Sequence, residues 1–125
     1  MPEARIVVGL GKYRIVDLDR EHARLLIQSM YDDKGTEDLQ EALRIIDNFK
    51  DFYDLMQKKN KDYLPLPHSY NDLLRGNTVL DKVKLYKRNG DERVILVFDR
   101  RLPIEYIEET LRRIGYTVKI EERLF

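Results

Sequence analysis

The stretch that decides the fold is residues 79–99, which read VLDKVKLYKRNGDERVILVFD. Two segments rich in apolar side chains, 79–88 and 91–99, flank Asn89-Gly90, the strongest short signal for a two-residue β-hairpin turn. Such a turn also fixes which residues face each other across the two strands. The predicted pairs are Arg88–Asp91, Tyr86–Arg93, Lys84–Ile95 and Lys82–Val97 on one face, and Leu85–Val94 and Val83–Leu96 on the other.

A helix and a strand follow this hairpin. Pro103 suits the first turn of a helix and Gly115 suits its end, so the pattern predicts a helix over residues 103–114. Residues 116–123 then alternate apolar and polar side chains, which is typical of a strand near the edge of a sheet. The C-terminal part is therefore predicted to be a β-hairpin–helix–strand (ββαβ) unit.

Helices are predicted in the N-terminal half of the chain. Apolar residues recur every three or four positions through residues 36–60, from Leu39 and Ala42 to Tyr53 and Met56. This spacing predicts one long helix, about 35 Å in length at roughly 1.5 Å per residue. Asp19 is suited to begin a preceding helix that runs to about residue 31, and the short connection makes the two helices antiparallel neighbours.

The remaining segments are an N-terminal β region and a connector. Residues 4–18 are β-branched and are interrupted by Gly9 and Gly11. They form either a hairpin or one strand with a bulge, and the hairpin is favoured because glycine adopts positive φ freely. Pro65 and Pro67 prevent a regular helix within residues 60–77, and Ser69 is suited to cap a brief helical turn there.

The composition indicates one folded domain. The chain has 125 residues, 42% of them hydrophobic, with 23 basic and 23 acidic side chains. We predict a single α+β domain over residues 1–125, built on an antiparallel or mixed sheet. Its parts are an N-terminal β-hairpin and an antiparallel helical hairpin at 1–59, a Pro-containing connector at 60–77, and the ββαβ unit at 78–125.

Location follows from what the chain lacks. It has no Cys, no signal segment and no apolar run of membrane-spanning length. We therefore expect a cytoplasmic protein that does not enter a membrane. The abundance of Glu, Lys and Arg is typical of thermophilic proteins.

Apolar surface predicts a protein partner. Residues 94–98 are apolar on both sides of the strand, so one side needs a cover, either the helices within 20–59 or a second copy of the chain. The long helix adds further apolar surface. We expect a small non-catalytic interaction or accessory module that forms a homodimer or binds another protein. The predicted contact residues are Ile95, Val97, Phe49, Phe52, Tyr53 and Met56.

An alternative is nucleic-acid binding. A basic stripe with one aromatic ring lies on the outer face of the predicted hairpin, where it suits the phosphates and bases of a single strand. Its residues are Lys82, Lys84, Tyr86, Arg88 and Arg93. The net charge of zero argues against a non-specific binder, because such proteins usually carry a basic surplus.

A third interpretation is a magnesium-dependent phosphodiesterase or nuclease. Asp17, Asp19 and Asp99 lie at or near the ends of predicted strands, and Mg²⁺ prefers oxygen ligands of this kind. Cap and loop roles explain the same residues, so no cofactor is expected unless the three converge. His68 is a candidate general base, but no partner acid is apparent. A protein without catalytic activity is therefore favoured.

Overall fold

The computed structural model describes residues 2–123, apart from the side chain of Leu10, so residues 1, 124 and 125 of the predicted domain lie outside the described part. The strands are β1 (Glu3–Val8), β2 (Arg14–Asp19), β3 (Leu64–Pro65), β4 (Leu80–Arg88), β5 (Asp91–Phe98) and β6 (Thr117–Glu122). The helices are α1 (Arg20–Lys34), α2 (Glu37–Asp47), α3 (Phe49–Lys58), α4 (Tyr70–Arg75) and α5 (Ile104–Arg113). The predicted α+β class is confirmed.

All six strands form one mixed sheet in the order β3-β4-β5-β2-β1-β6. β1 and β2 are antiparallel, with Val7 opposite Ile15, so the hairpin prediction for residues 4–18 is confirmed. Gly11 lies in the turn at φ +80°, a conformation that residues with a Cβ rarely adopt. β6 lies parallel to β1 at the outside of the sheet, as its alternating pattern predicts.

The β4–β5 hairpin has the register predicted from its Asn-Gly turn. Both turn residues have positive φ, 52° and 85°, as a type I′ turn requires. Every predicted pair is present, from Arg88–Asp91 beside the turn to Lys82–Val97 near the other end. A register shift between Leu80 and Lys82 then marks a β-bulge.

The connector is more ordered than its prolines suggest. Its Leu64 pairs with Val83, which makes β3 an outer strand of two residues that the sequence did not predict. Ser69 caps α4 as predicted, because its hydroxyl accepts the backbone N–H of Asp72 at 3.1 Å. The helix ends at Gly76, which has φ +66°.

The prediction of one continuous helix over residues 36–60 is wrong. The helix breaks at Asn48, whose φ of −113° and ψ of 42° are not helical. The Asn48 side-chain amide donates to the carbonyl of Arg44 at 2.8 Å, so it binds a carbonyl at the end of α2. The break lets Ile46 on α2 and Phe49 on α3 both point into the core, where neither is exposed.

Helices α1, α2, α3 and α5 form one layer on one side of the sheet. α1 contacts β2 and β5, α2 and α3 contact β4, and α5 contacts β6 and α1. α1 also packs against α2, as the predicted helical hairpin requires. The core contains the inward residues of these helices and one side of the strands, including Ile6, Val16, Leu85, Leu96 and Phe98.

The other side of the sheet, which we call the open face, lies outside this core. Its apolar residues Val7, Ile15, Ile95 and Val97 do not belong to the core cluster. The helices within residues 20–59 therefore cover the side of β5 that carries Leu96, and not the side that carries Ile95. Every helix of residues 2–123 falls short of the length and apolar character that a membrane crossing requires.

Candidate interaction surface

A row of side chains crosses the open face from β4 to β6. Strand pairing places Lys82 beside Val97, Val97 beside Ile15, Ile15 beside Val7, and Val7 beside Glu121. Val97 is only 3% exposed, whereas Val7 and Ile15 are half-buried. The row is apolar in the middle and carries opposite charges at its two ends. An apolar centre with a polar rim is the usual anatomy of a protein–protein interface.

Three polar side chains form a bonded group beside this row. The Nε of Arg93 lies 3.2 Å from Oδ1 of Asp17, and the hydroxyl of Tyr86 donates to Oδ2 of the same carboxylate. Arg93 Nε also donates to the Tyr86 hydroxyl oxygen at 3.1 Å. Burial and the bond to Asp17 raise the pKa of the Tyr86 phenol, so the phenol remains protonated at neutral pH. Both oxygens of the Asp17 carboxylate are thus already bonded to neighbouring side chains.

Two lysines of the predicted basic stripe lie over a ring from the connector. Lys82 Nζ lies 4.7 Å from the ring centroid of Tyr63, and Lys84 Nζ lies 5.9 Å from it. These are distances at which a cation is attracted to the face of an aromatic ring. This cluster was not predictable from local sequence patterns, because it forms only when β3 pairs with β4. Arg88 lies at the hairpin end of β4 and is exposed.

The structure does not bring together the three carboxylates proposed as a magnesium site. Asp19 pairs with Arg93 at one end of β2 and β5, whereas Asp99 follows the opposite end of β5, where Phe98 pairs with Arg14. Within residues 2–123, no three His, Asp or Glu side chains are grouped in a way that could hold a metal ion. The geometric condition for that site is therefore not met.

Asp19 and Asp99 each bind structural partners instead. Asp19 caps α1 by accepting the backbone N–H of His22 at 2.9 Å, and it lies 2.7 Å from Nδ1 of the same residue. Asp99 accepts from the Thr78 hydroxyl at 2.8 Å and from the backbone and side chain of Arg101. Burial alone would raise the pKa of Asp99, but these bonds outweigh it and lower the pKa to about 2.

Four predicted contact residues belong to α3, and the structure corrects their role. Phe49 is 0% exposed and Met56 is 2% exposed, so both are core residues of the chain itself. Phe52 and Tyr53 are half-buried and pack against that core. The helix break at residue 48 changes the direction of the axis, so α3 packs on β4 as α2 does and keeps the same side inward. The remaining two predicted contacts lie on the open face, where Ile95 is half-buried, whereas Val97 is 3% exposed and is thus also buried within the chain itself.

A buried carboxylate that the sequence analysis did not single out holds together one end of the fold. Asp38 is 1% exposed and accepts the backbone N–H groups of Leu39 at 2.7 Å, Val79 at 2.7 Å and Leu80 at 3.1 Å. His68 Nε2 donates to the Leu80 carbonyl at 2.8 Å and lies 3.4 Å from Asp38. His68, the candidate base, thus has a structural partner.

Comparison with known proteins gives no family model, no curated protein and no solved structure that matches this chain.

Proposed function

We propose that the protein is a small non-catalytic interaction module that associates with a second copy of itself through its sheet. The observation that carries this proposal is the apolar surface that the sheet leaves outside the core. Helices α1, α2, α3 and α5 turn most of their apolar side chains into the chain's own core, including Phe49 and Met56, whereas α4 leaves Leu73 and Leu74 exposed. The sheet instead leaves Val7, Ile15 and Ile95 outside that core. Its outer strand β6 also exposes a large apolar side chain, Ile120.

A non-catalytic role is supported by the way the candidate catalytic groups are bonded. Nucleophiles and general bases need a free reactive atom that faces a cleft. Here the Asp17 carboxylate binds Arg93 and Tyr86, and the His68 ring binds a backbone carbonyl. The His22 ring lies against Asp19 and makes an edge contact with Tyr116. These groups act as structural connections.

The native mass in solution tests this proposal. We expect sedimentation equilibrium or light scattering to give twice the 15.0 kDa chain mass at micromolar concentrations. Dilution should return the single-chain mass, because association of this kind follows mass action. A constant single-chain mass from about 1 to 100 μM would show that the protein does not self-associate in the ordinary affinity range.

A second candidate function is binding of single-stranded nucleic acid on the open face. The specific observation in its favour is the cluster of Tyr63, Lys82 and Lys84, which combines a ring for base stacking with two cations for phosphates. With Tyr86 on the same strand, the face carries two aromatic side chains, one more than the predicted stripe.

This candidate is tested with a fluorescent RNA oligomer and a paired set of variants. We expect binding to weaken steeply with salt and the Lys82→Ala/Lys84→Ala variant to lower the affinity about tenfold, with a salt slope smaller by about two. The matched control is Lys50→Ala/Lys58→Ala, which removes two exposed lysines from α3. Equal binding by both variants, or no binding by the natural chain, would exclude this use of the open face.

A further inference from the structure

The two outer strands of the sheet differ in how well they are protected against pairing. β3 has only two residues, one of which is Pro65, and Pro67 follows it closely. Proline has no backbone N–H to donate, so this edge is a poor template for another strand. β6 has six residues with neither proline nor glycine, and its register with β1 has no bulge. The β3 edge of the sheet is thus protected against pairing with another strand, and the β6 edge is not.

Hydrogen bonds to β1 show which backbone groups of β6 point outward. The N–H of Thr117 donates to the Pro2 carbonyl at 2.9 Å, and the N–H of Arg123 donates to the Val8 carbonyl at 2.9 Å. In a parallel ladder, alternate residues direct both N–H and C=O to the same neighbour. The odd-numbered residues therefore face β1, and Val118, Ile120 and Glu122 direct their backbone groups away from the sheet.

Ile120 is the unusual side chain on this edge. It pairs with Ile6, which is 0% exposed, yet Ile120 itself is 44% exposed. It lies on the helix side of the sheet, where Ala4 and Ile6 of the neighbouring strand are core residues. A neighbouring strand would cover it and complete that layer. A strand paired along β6 would thus both cover the Ile120 side chain and bond the outward backbone groups.

Charge selects the register if that strand is another β6 in antiparallel orientation. The outward residues must face each other so that their N–H and C=O groups can bond. Ile120 opposite its own copy places Lys119 opposite Glu121 on both sides of the axis. The next registers that keep outward residues paired are displaced by two residues in either direction. One of them places Lys119 opposite Lys119 and the other places Glu121 opposite Glu121, and like charges directly opposite are unfavourable.

We infer that the second copy binds at β6, through antiparallel pairing of two β6 strands about a two-fold axis at Ile120. This inference rests on the self-association proposed above and names its contact. The two six-stranded sheets would join into one of twelve strands, with helices α1, α2, α3 and α5 of both copies on one side. The Lys119–Glu121 pairs form on the open face, where Arg5 Nη1 already lies 3.3 Å from Glu121 Oε1. The open faces of the two copies become one continuous surface.

A charge swap tests the contact. We expect Lys119→Glu to raise the dimer dissociation constant about tenfold or more in sedimentation equilibrium. The substitution places two carboxylates opposite each other on both sides of the two-fold axis. The double variant Lys119→Glu/Glu121→Lys should restore the dissociation constant to within about threefold of the natural value, since it recreates both pairs with opposite polarity. The control is Lys84→Glu on the open face, which should leave the dimer unchanged.

Hydrogen exchange gives an independent readout on the unaltered protein. The backbone amides of Val118, Ile120 and Glu122 should exchange more slowly as the protein concentration rises through the dissociation constant. A dimer that survives Lys119→Glu with these amides unprotected would overturn the β6 contact and leave self-association standing. If Ile15→Asp then dissociated that dimer, the open face would be the interface. A single-chain mass at all concentrations would overturn both proposals together.

Discussion

Replacement of Asp38 by alanine is expected to lower the free energy of unfolding by about 4 kcal/mol, because three buried N–H groups would lose their acceptor. The carboxylate is 1% exposed and binds the start of α2 to Val79 and Leu80, where β4 begins. Water cannot replace it without opening this end of the core. Chemical denaturation followed by far-ultraviolet circular dichroism, at one fixed protein concentration, measures the loss.

Two further variants show whether the buried carboxylate itself is responsible. Asp38→Asn keeps one acceptor oxygen in nearly the same volume, so about half of the loss is expected. Asp47→Ala removes an exposed carboxylate that lies 2.7 Å from Arg24, and its effect should stay below about 1 kcal/mol. A loss below about 1 kcal/mol for Asp38→Ala would contradict the role assigned to this residue.

Replacement of Phe49 by alanine is expected to cost about 4 kcal/mol of unfolding free energy, the usual range for an aromatic ring removed from a packed core. Its ring is 0% exposed and stacks on Tyr53 with centroids 5.8 Å apart. The guanidinium of Arg20 lies 5.7 Å from the same ring. The substitution leaves a cavity at the point where α2 and α3 meet, and denaturation measures its effect.

The same substitution separates a core role from a contact role. A core residue changes the stability of each chain, so its destabilisation should persist in dilute protein that is no longer associated. Leu55→Ala is the control on the same helix, because Leu55 is 37% exposed, and a loss of about 1 kcal/mol or less is expected. If Phe49→Ala dissociated the dimer while leaving the dilute protein as stable as before, Phe49 would be an interface residue after all.

Local signals in the sequence were enough to predict most elements. The Asn-Gly turn fixes the β4–β5 register because its geometry depends only on neighbouring residues. Asp19 and Ser69 cap their helices as predicted for the same reason, since a cap bonds an N–H group only three residues away. The position of β6 at an edge of the sheet agrees with its alternating side chains.

The break at Asn48 shows where periodicity fails as a guide. Leu39, Ala42 and Ile46 before the break, and Phe49 after it, keep the spacing of a single helix. All four are buried, so the pattern reports correctly which side faces the core. It carries no information on whether the axis continues, because a bend that keeps the same side inward preserves the pattern. Only the backbone angles at residue 48 reveal the two helices.

Contacts between distant parts of the chain were not predictable. The pairing of β2 with β5 and of β3 with β4 depends on tertiary packing, and no local turn specifies it. The Tyr63 cluster and the bonds of Asp38 to β4 follow from those pairings. For the magnesium hypothesis the same limit applied, because the separation of Asp19 from Asp99 depends on the antiparallel order of β2 and β5.

The parallel pairing of β1 with β6 has a consequence for how the molecule is made. Ala4 lies beside Val118, although nearly the whole described chain separates them. During synthesis β1 can pair early with β2, but its other edge stays bare until β6 has left the ribosome. Contacts between such distant residues also slow folding, because a large loop must close before they form. The strand proposed to join two molecules is thus the last of the six strands to enter the sheet in each of them, so a chain stalled before this step would expose β1 to aggregation.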